Sequence, residues 1–264
     1  MSRQINFFLD TADVEEIRKY VKMGLIQGVT TNPSLYTKYI KQLIADGKDK
    51  SDLPSYEGVI SQINDIFKEE GIDEVPLSIE PTADSAEEIV AQGKAIYSNN
   101  KNAVIKVICD PDGIGLVTAK KLAEEGIPTN ITLAFNPTQT VMAVMAQTAG
   151  AKIAEKNGKI DSVDSYLGKC YTNIFIGRVD DQGNDGIDAL ADAAEIFEKY
   201  DIPVKLISAS IRHPLHIKQS LMAGADVLTI PPKALEGALK NLLTVKGIES
   251  FNKDFKESQE YLTK

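Results

Sequence analysis

Lys106 interrupts the apolar run Ala103-Val104-Ile105-Lys106-Val107-Ile108. The run is short and β-branched, and polar Asn102 and Asp110 bound it, so it reads as a strand buried on both faces. An ammonium in that setting loses its hydration, which is unfavourable unless the charge is used or removed. Pairing with a carboxylate at a strand end is one answer, and for this residue alone it is the simpler one. The other is a lowered pKa, which leaves a neutral amine to attack a carbonyl and form a Schiff base. The protonated imine is an electron sink, so a neighbouring C–C or C–H bond can break without a metal. Such a step needs a positioned carboxylate to move protons, and Asp10 and Glu80 end two other apolar runs. Thr30 with Asn32, Asn130 with Thr132, and Asn173 with Phe175 stand at the ends of three more, and Asn and Thr side chains suit hydroxyl groups. Arg178 follows the sixth run, and Ser210 with Arg212 follows the seventh. A guanidinium fork suits a phosphate better than an ammonium does, although either arginine alone is equally explained as a surface ion pair.

Positioning these residues falls to a regular alternation of elements. Eight apolar runs recur, roughly at 5–10, 27–31, 75–80, 103–108, 128–133, 171–176, 203–208 and 226–230, with helical patterns between them. Asp13 with Glu16 opens one helix and Gly24 closes it; Asp84 with Glu87 opens another; Asn136 before Pro137 opens a third, closed by Gly150. Segments 214–224 and 232–242 complete the last two units. Strands alternating with helices predict a parallel sheet. Eight such units over about 240 residues predict an α/β fold, a (β/α)8 TIM barrel forming a single domain over 1–264. The first run ends Phe7-Phe8-Leu9-Asp10-Thr11-Ala12, without the glycine-rich loop of a doubly wound sheet. Residues 42–56 read as a solvated polar loop, and 151–170 as an insertion: an extra helix, a lid or surface decoration. The stretch from Gly247 to Leu262 reads as an amphipathic C-terminal helix carrying Ile248, Phe251, Phe255 and Tyr261, able to cover its own barrel or dock on a neighbour.

Alternation along a strand assigns inward faces: Asn6, Phe8 and Asp10; Gly28 and Thr30, with Asn32 following; Ser78 and Glu80; Val104, Lys106 and Ile108; Asn130 and Thr132; Asn173 and Phe175; Leu206 and Ser208, with Ser210 following. The polar member sits near the carboxyl end of nearly every strand, where active sites of such barrels form. One carboxylate ending one strand is usually a cap, but a lysine, two carboxylates and two asparagines converging on one mouth are costly to bury without a task.

The 264 residues carry a net charge of −9, which gives no general attraction for nucleic acid or an anionic membrane. No apolar stretch reaches membrane-spanning length, and the acidic early residues Asp10, Asp13, Glu15 and Glu16 do not read as a signal peptide. Cys109 and Cys170 supply no disulfide or metal framework and fit a reduced, cytoplasmic protein. His213-Pro214-Leu215-His216 invites a metal reading but has no third ligand nearby, so a helix start is expected and no metal is assigned. Asp110-Pro111-Asp112-Gly113 lacks the spacing of a calcium loop and reads as a turn into a helix.

Taken together, the motifs resemble the transaldolase family, in particular its small-subunit branch, over nearly the whole chain. Phe8-Leu9-Asp10-Thr11-Ala12 looks like the family's opening strand, and Gly28-Val29-Thr30-Thr31-Asn32-Pro33-Ser34-Leu35 like its most recognisable signature. Ile105-Lys106-Val107, Asn130-Ile131-Thr132-Leu133, Phe175-Ile176-Gly177-Arg178 and Ser208-Ala209-Ser210-Ile211-Arg212 continue the likeness. The resemblance implies that Lys106 forms the imine with a ketose phosphate and that Asp10 takes the hydroxyl proton as the C3–C4 bond breaks. It implies that Glu80 and Thr132 handle proton transfer through a water, and that Asn32 and Asn130 hold the dihydroxyacetone fragment. Arg178, Ser210 and Arg212 would bind phosphate, and an aldose phosphate would accept the fragment. No cofactor is implied, and the likeness leans towards a homo-oligomer. Family members that act as fructose-6-phosphate aldolases carry Tyr at position 175 and Gln at position 80, whereas this chain has Phe175 and Glu80, which favours transfer over free aldol cleavage. The chain departs from the family at Ile108, where Pro is usual, at Asn173, where Ser is usual, and at Pro81. An aldolase-like lyase, and a non-catalytic sugar-phosphate binding protein, are the alternatives.

Overall fold

A computed structural model describes residues 5–262. Eight parallel strands close into a barrel in chain order: β1 Asn6–Asp10, β2 Gly28–Thr30, β3 Leu77–Ile79, β4 Ala103–Ile108, β5 Thr129–Thr132, β6 Tyr171–Phe175, β7 Lys205–Ala209 and β8 Val227–Ile230. β1 pairs with β8 to complete the ring, with Phe8 beside Thr229. The helices are α1 Val14–Lys22, α2 Pro33–Ala45, α3 Tyr56–Glu69, α4 Ala86–Asn99, α5 Ile114–Ala123, α6 Pro137–Lys156, α7 Val163–Leu167, α8 Ile176–Asp180, α9 Gly186–Lys199, α10 Pro214–Met222, α11 Pro232–Leu239 and α12 Leu242–Leu262. The predicted (β/α)8 barrel is thus the observed architecture, with most strands a residue or two shorter than the apolar runs suggested.

Two apolar layers hold it. The outer layer lies between strands and helices and includes Leu9, Ile17, Ile63, Phe67, Ile105, Leu122, Ile131 and Phe197. The inner one fills the barrel with Phe8, Val104, Tyr171, Ile207, Ala209 and Val227. Gly28 makes that filling possible, because a β-carbon there would lie 2.4 Å from the Phe8 ring.

Several sequence expectations are corrected. The loop expected at 42–56 is shorter, since α2 continues to Ala45 and α3 begins at Tyr56; Asp46 to Ser55 hold only a short 3-10 turn. Glu16 does not close a capping box on Asp13. The Asp13 N–H goes to Thr11 Oγ1, whose hydroxyl is donated to Glu16, so the box is relayed through Thr11. The cap of α4 is Ser85 with Glu88, one residue beyond the Asp84–Glu87 pair. Gly150 does not end α6; it lies inside the helix, where contact with α5 requires a bare α-carbon. Residues 151–156 therefore belong to α6, and α7 sits in the connection into β6, at the end of the barrel opposite the strands' carboxyl termini. There the Tyr166 hydroxyl donates to the Ile127 carbonyl, just before β5, so the segment is an anchor for the barrel floor and not a lid. The C-terminal helix starts earlier than Gly247, at Leu242, and none of its residues is buried, so it does not cover its own barrel. Ser208 faces outward, sharing a hydrogen bond of 2.7 Å with Ser220 on α10; in β7 the inward residues are Ile207 and Ala209. Among the described residues no helix is long and apolar enough to cross a membrane.

A β-carbon at position 150 would lie 2.2 Å from the Lys120 carbonyl and 2.6 Å from the Ala123 β-carbon. Gly150→Ala gains about 1 kcal/mol of helix propensity but forces two backbones apart, which costs about 1–3 kcal/mol. Net destabilisation is expected as a lowered urea midpoint; an unchanged or raised midpoint contradicts the packing described.

Candidate active site

The carboxyl ends of the strands enclose a cavity of about 570 Å3, and all twelve candidate residues line it: Asp10, Thr30, Asn32, Glu80, Lys106, Asn130, Thr132, Asn173, Phe175, Arg178, Ser210 and Arg212. They come from seven strands and the loops after them. Barrel closure explains the convergence, since each inward-facing residue near a strand's end points at the same axis. A larger cavity of about 640 Å3 opens at the other end and contains none of them.

Lys106 is 6% exposed, and its Nζ lies 3.5 Å from Glu80 Oε2. Glu80 stands one residue past β3 on the extended chain leading to Pro81, so its side chain reaches inward across the β3–β4 pair. Asp10 ends β1, two strands round the ring from β3. Burial pushes its carboxyl above the ordinary carboxylate range, against the pull of Lys106 and a hydrogen bond from Thr30. The Thr30 hydroxyl donates to Asp10 Oδ1 at 2.7 Å and also meets Thr229 Oγ1. Because Thr30 has one hydroxyl hydrogen, Thr229 must be the donor between the two threonines. Thr229 on β8 went unnamed in the sequence reading; alternation from Val227 would have placed it inside.

Amides form the floor. Asn130, in register with Lys106 on the next strand, donates from Nδ2 to Ser78 Oγ at 3.1 Å. Asn173 Nδ2 in turn donates to Asn130 Oδ1 at 3.1 Å. Thr132 Oγ1 and Asn173 Oδ1 are buried without a hydrogen-bond partner. Asn32 caps α2, its Oδ1 accepting from the Leu35 N–H at 3.0 Å, and it lines the cavity.

The rim is cationic. The Arg178 guanidinium lies 5.2 Å over the Phe175 ring, which packs against Phe135 with centroids 5.9 Å apart. Arg212 bonds Asp181 Oδ2 at 2.7 Å. Its stem crosses Gly177, where a β-carbon would lie 2.8 Å from Arg212 Cγ and Nε. Ser210 faces the cavity because its φ of 62° breaks the strand alternation after Ala209. His213 caps α10 and stacks on His216, as expected for a helix start. His216 Nδ1 accepts from the Arg212 N–H at 3.4 Å, and its Nε2 lies 3.3 Å from Asp180 Oδ2. Among the described residues no group of three or more His, Cys, Asp or Glu is placed to hold a metal. Cys109 is half-buried, and burial with Asp110 nearby pushes its thiol up, away from reactivity.

Burial holds His216 below its ordinary value of 6.5, despite Asp180. A histidine whose folded value is lowered binds its proton more readily unfolded, so its contribution to stability is lost as pH falls through 6.5. Protonation of Nδ1 also ends the bond from Arg212. The stability advantage of the native chain over His216→Asn, read as melting temperature, is therefore expected to shrink between pH 7.5 and 5.5; a constant advantage contradicts the arrangement.

Comparison with known proteins bears on this arrangement. The family model described as Transaldolase/Fructose-6-phosphate aldolase matches residues 7–262. The chain is 39% identical to "Probable transaldolase 1" of Listeria monocytogenes serotype 4b (strain F2365), over 97% of this chain and all of that one. It is 36% identical to a "Probable transaldolase" of Exiguobacterium sibiricum, again over 97% of this chain and all of the relative. A "Probable transaldolase" of Aquifex aeolicus (strain VF5) is 34% identical, with 97% and 99% covered.

Proposed function

The chain belongs to the transaldolase/fructose-6-phosphate aldolase family, as an enzyme of that family, and we propose that it moves a dihydroxyacetone unit from a ketose phosphate to an aldose phosphate through a Schiff base on Lys106. The observation that carries this reading is the Lys106 amine, buried within 3.5 Å of Glu80 in the same cavity as Asp10 and two rim arginines. The neutral amine attacks the C2 carbonyl, a proton moves to the departing oxygen, and water leaves to give the protonated imine. Glu80, with Thr132 and a water, handles those protons. Asp10, with its carboxyl raised by burial, is matched to take the C4 hydroxyl proton as the C3–C4 bond breaks; the electron pair is held as an enamine and the aldose product departs. Attack by the enamine carbon on the acceptor aldehyde reverses these steps, and hydrolysis frees Lys106.

Arg178, Arg212 and Ser210 suit the phosphate of donor and acceptor, a local excess of positive charge in a chain of net −9. Thr30 orients Asp10, and the amides of Asn32, Asn130 and Asn173 suit the hydroxyls of the fragment. Phe175 has no proton to give, so the enamine persists until an acceptor arrives. No cofactor enters the scheme. The free thiols Cys109 and Cys170 suit a reducing compartment, the cytoplasm. On α12, Leu243, Phe251, Phe255 and Tyr261 are all more than 60% exposed, which supports a homo-oligomer in which this row is covered.

Two measurements test the scheme. Borohydride with fructose 6-phosphate is expected to add mass at Lys106 and none in Lys106→Met; equal labelling of the variant overturns the assignment. Turnover of fructose 6-phosphate is expected to need erythrose 4-phosphate, and steady release of glyceraldehyde 3-phosphate without any acceptor would make the protein a lyase.

A further inference from the structure

The cavity at the amino-terminal end of the barrel has no part in the Schiff-base scheme, yet its volume of about 640 Å3 is enough to take a small organic ligand. Its inner end is the underside of the apolar plug, where Phe8, Val104, Tyr171 and Val227 line it. Tyr171 opens β6 on the inner face and is 3% exposed. It borders this cavity and not the one that holds Lys106. Among the described residues its hydroxyl has no hydrogen-bond partner. Burial pushes the phenol above its ordinary value, so it keeps its proton and is a donor without an acceptor.

The charges around that hydroxyl are sorted by side. Lys205 opens β7 in register with Tyr171, on the inner face by alternation from Ile207, and its Nζ lies 5.6 Å over the Tyr171 ring. Lys169, two residues before Tyr171, lines the same wall. Among the described residues neither ammonium has a carboxylate at ion-pairing distance. The carboxylates of the cavity, Asp73 and Glu74, come from the turn before β3, four places round the ring from β7. Lys101, before β4, stands nearer to them, with its Nζ 5.2 Å over the Tyr97 ring.

We infer that this cavity is a second, non-covalent binding site for a hydroxylated organic monophosphate of the sugar-phosphate class, its phosphate on Lys169, Lys205 and the Tyr171 hydroxyl and its hydroxyl groups towards Asp73 and Glu74. Two ammonium groups and a phenol proton suit one phosphate, which exchanges the ring face over which Lys205 lies for a charged partner. Carboxylates accept hydrogen bonds from hydroxyl groups and repel a second phosphate, so the far wall selects a ligand that is neutral and hydroxylated at that end. The plug residues cover its C–H faces. No imine is needed here, because Val104 holds the inward position on β4 that Lys106 holds in the upper cavity.

Glucitol 6-phosphate is the probe, since it has no carbonyl to react with Lys106, and calorimetric titration is the measurement. The native protein is expected to bind two molecules, one at the rim arginines and one here, and Lys205→Met to bind one while keeping its transfer activity. In an Arg178→Ala/Arg212→Ala background one molecule is still expected to bind. Adding Lys205→Met there is expected to weaken it by at least about 10-fold and adding Tyr171→Phe several-fold, with Lys205→Arg restoring affinity. The inference is overturned if the native protein binds one molecule and Lys205→Met binds it equally well. It is overturned too if affinity in the rim background is unmoved by both Lys205→Met and Tyr171→Phe. Inorganic phosphate binding as tightly as glucitol 6-phosphate also overturns it, since the far wall would then read nothing.

Discussion

A primary amine lodged among hydrocarbon side chains is the constraint on which the rest of the molecule depends. Burying an ammonium beside a carboxylate recovers only part of the lost hydration, and an apolar pair of similar volume would commonly be at least as stable. The Lys106–Glu80 pair therefore argues poorly for stability and well for chemistry. Its cost falls on a scaffold that can bear it: Ile105 and Val107, on either side of Lys106, are 0% and 2% exposed against the helices, so β4 is anchored by its outward face while its inward face carries the charge. Asp10 repeats the pattern on β1, a carboxyl whose burial raises its proton affinity near a lysine that lowers it. Two carboxyl groups in unlike settings around one amine are what a sequence of opposed proton transfers requires.

The cavity is graded along the barrel axis. Cations stand at the exposed rim, ionisable groups at mid-depth, neutral amides at the floor and an apolar plug beneath it. The order suits a ligand with a charged end, a reactive middle and a hydroxylated tip. It also keeps the two arginines away from the amine, where their like charge would compete for the same carboxylates.

Much of this was legible in the sequence because barrels obey simple alternation. Lys106, Asp10, Asn130 and Asn173 could be placed on one face by counting residues in twos. The count failed at Ser208, whose hydroxyl is satisfied by Ser220 on α10, a long-range pairing that local pattern does not reveal. Beyond β7 it was the left-handed backbone of Ser210 that restored an inward direction, and backbone reversals of that kind leave little trace outside glycine. Gly150 misled for the opposite reason: glycine commonly ends helices, but here it allows α5 and α6 to touch. The stretch after Lys156 left an extra helix, a lid and surface decoration all open; α7 bears out the helix, and length alone does not say at which end of a barrel a loop lies.

Gly177 shows how an ionic site can depend on an atom that is missing. The Arg212 stem occupies the space a side chain at 177 would need, and the Ser210 carbonyl closes in at 2.3 Å from the same point. The position contributes no charge and no hydrogen-bonding side chain, yet the rim cation cannot keep its course over any other residue. Combinatorial libraries meant to change which anion the rim prefers must hold this glycine constant while varying the residues around it, because diversity there removes the scaffold for the arginine before it can alter selectivity.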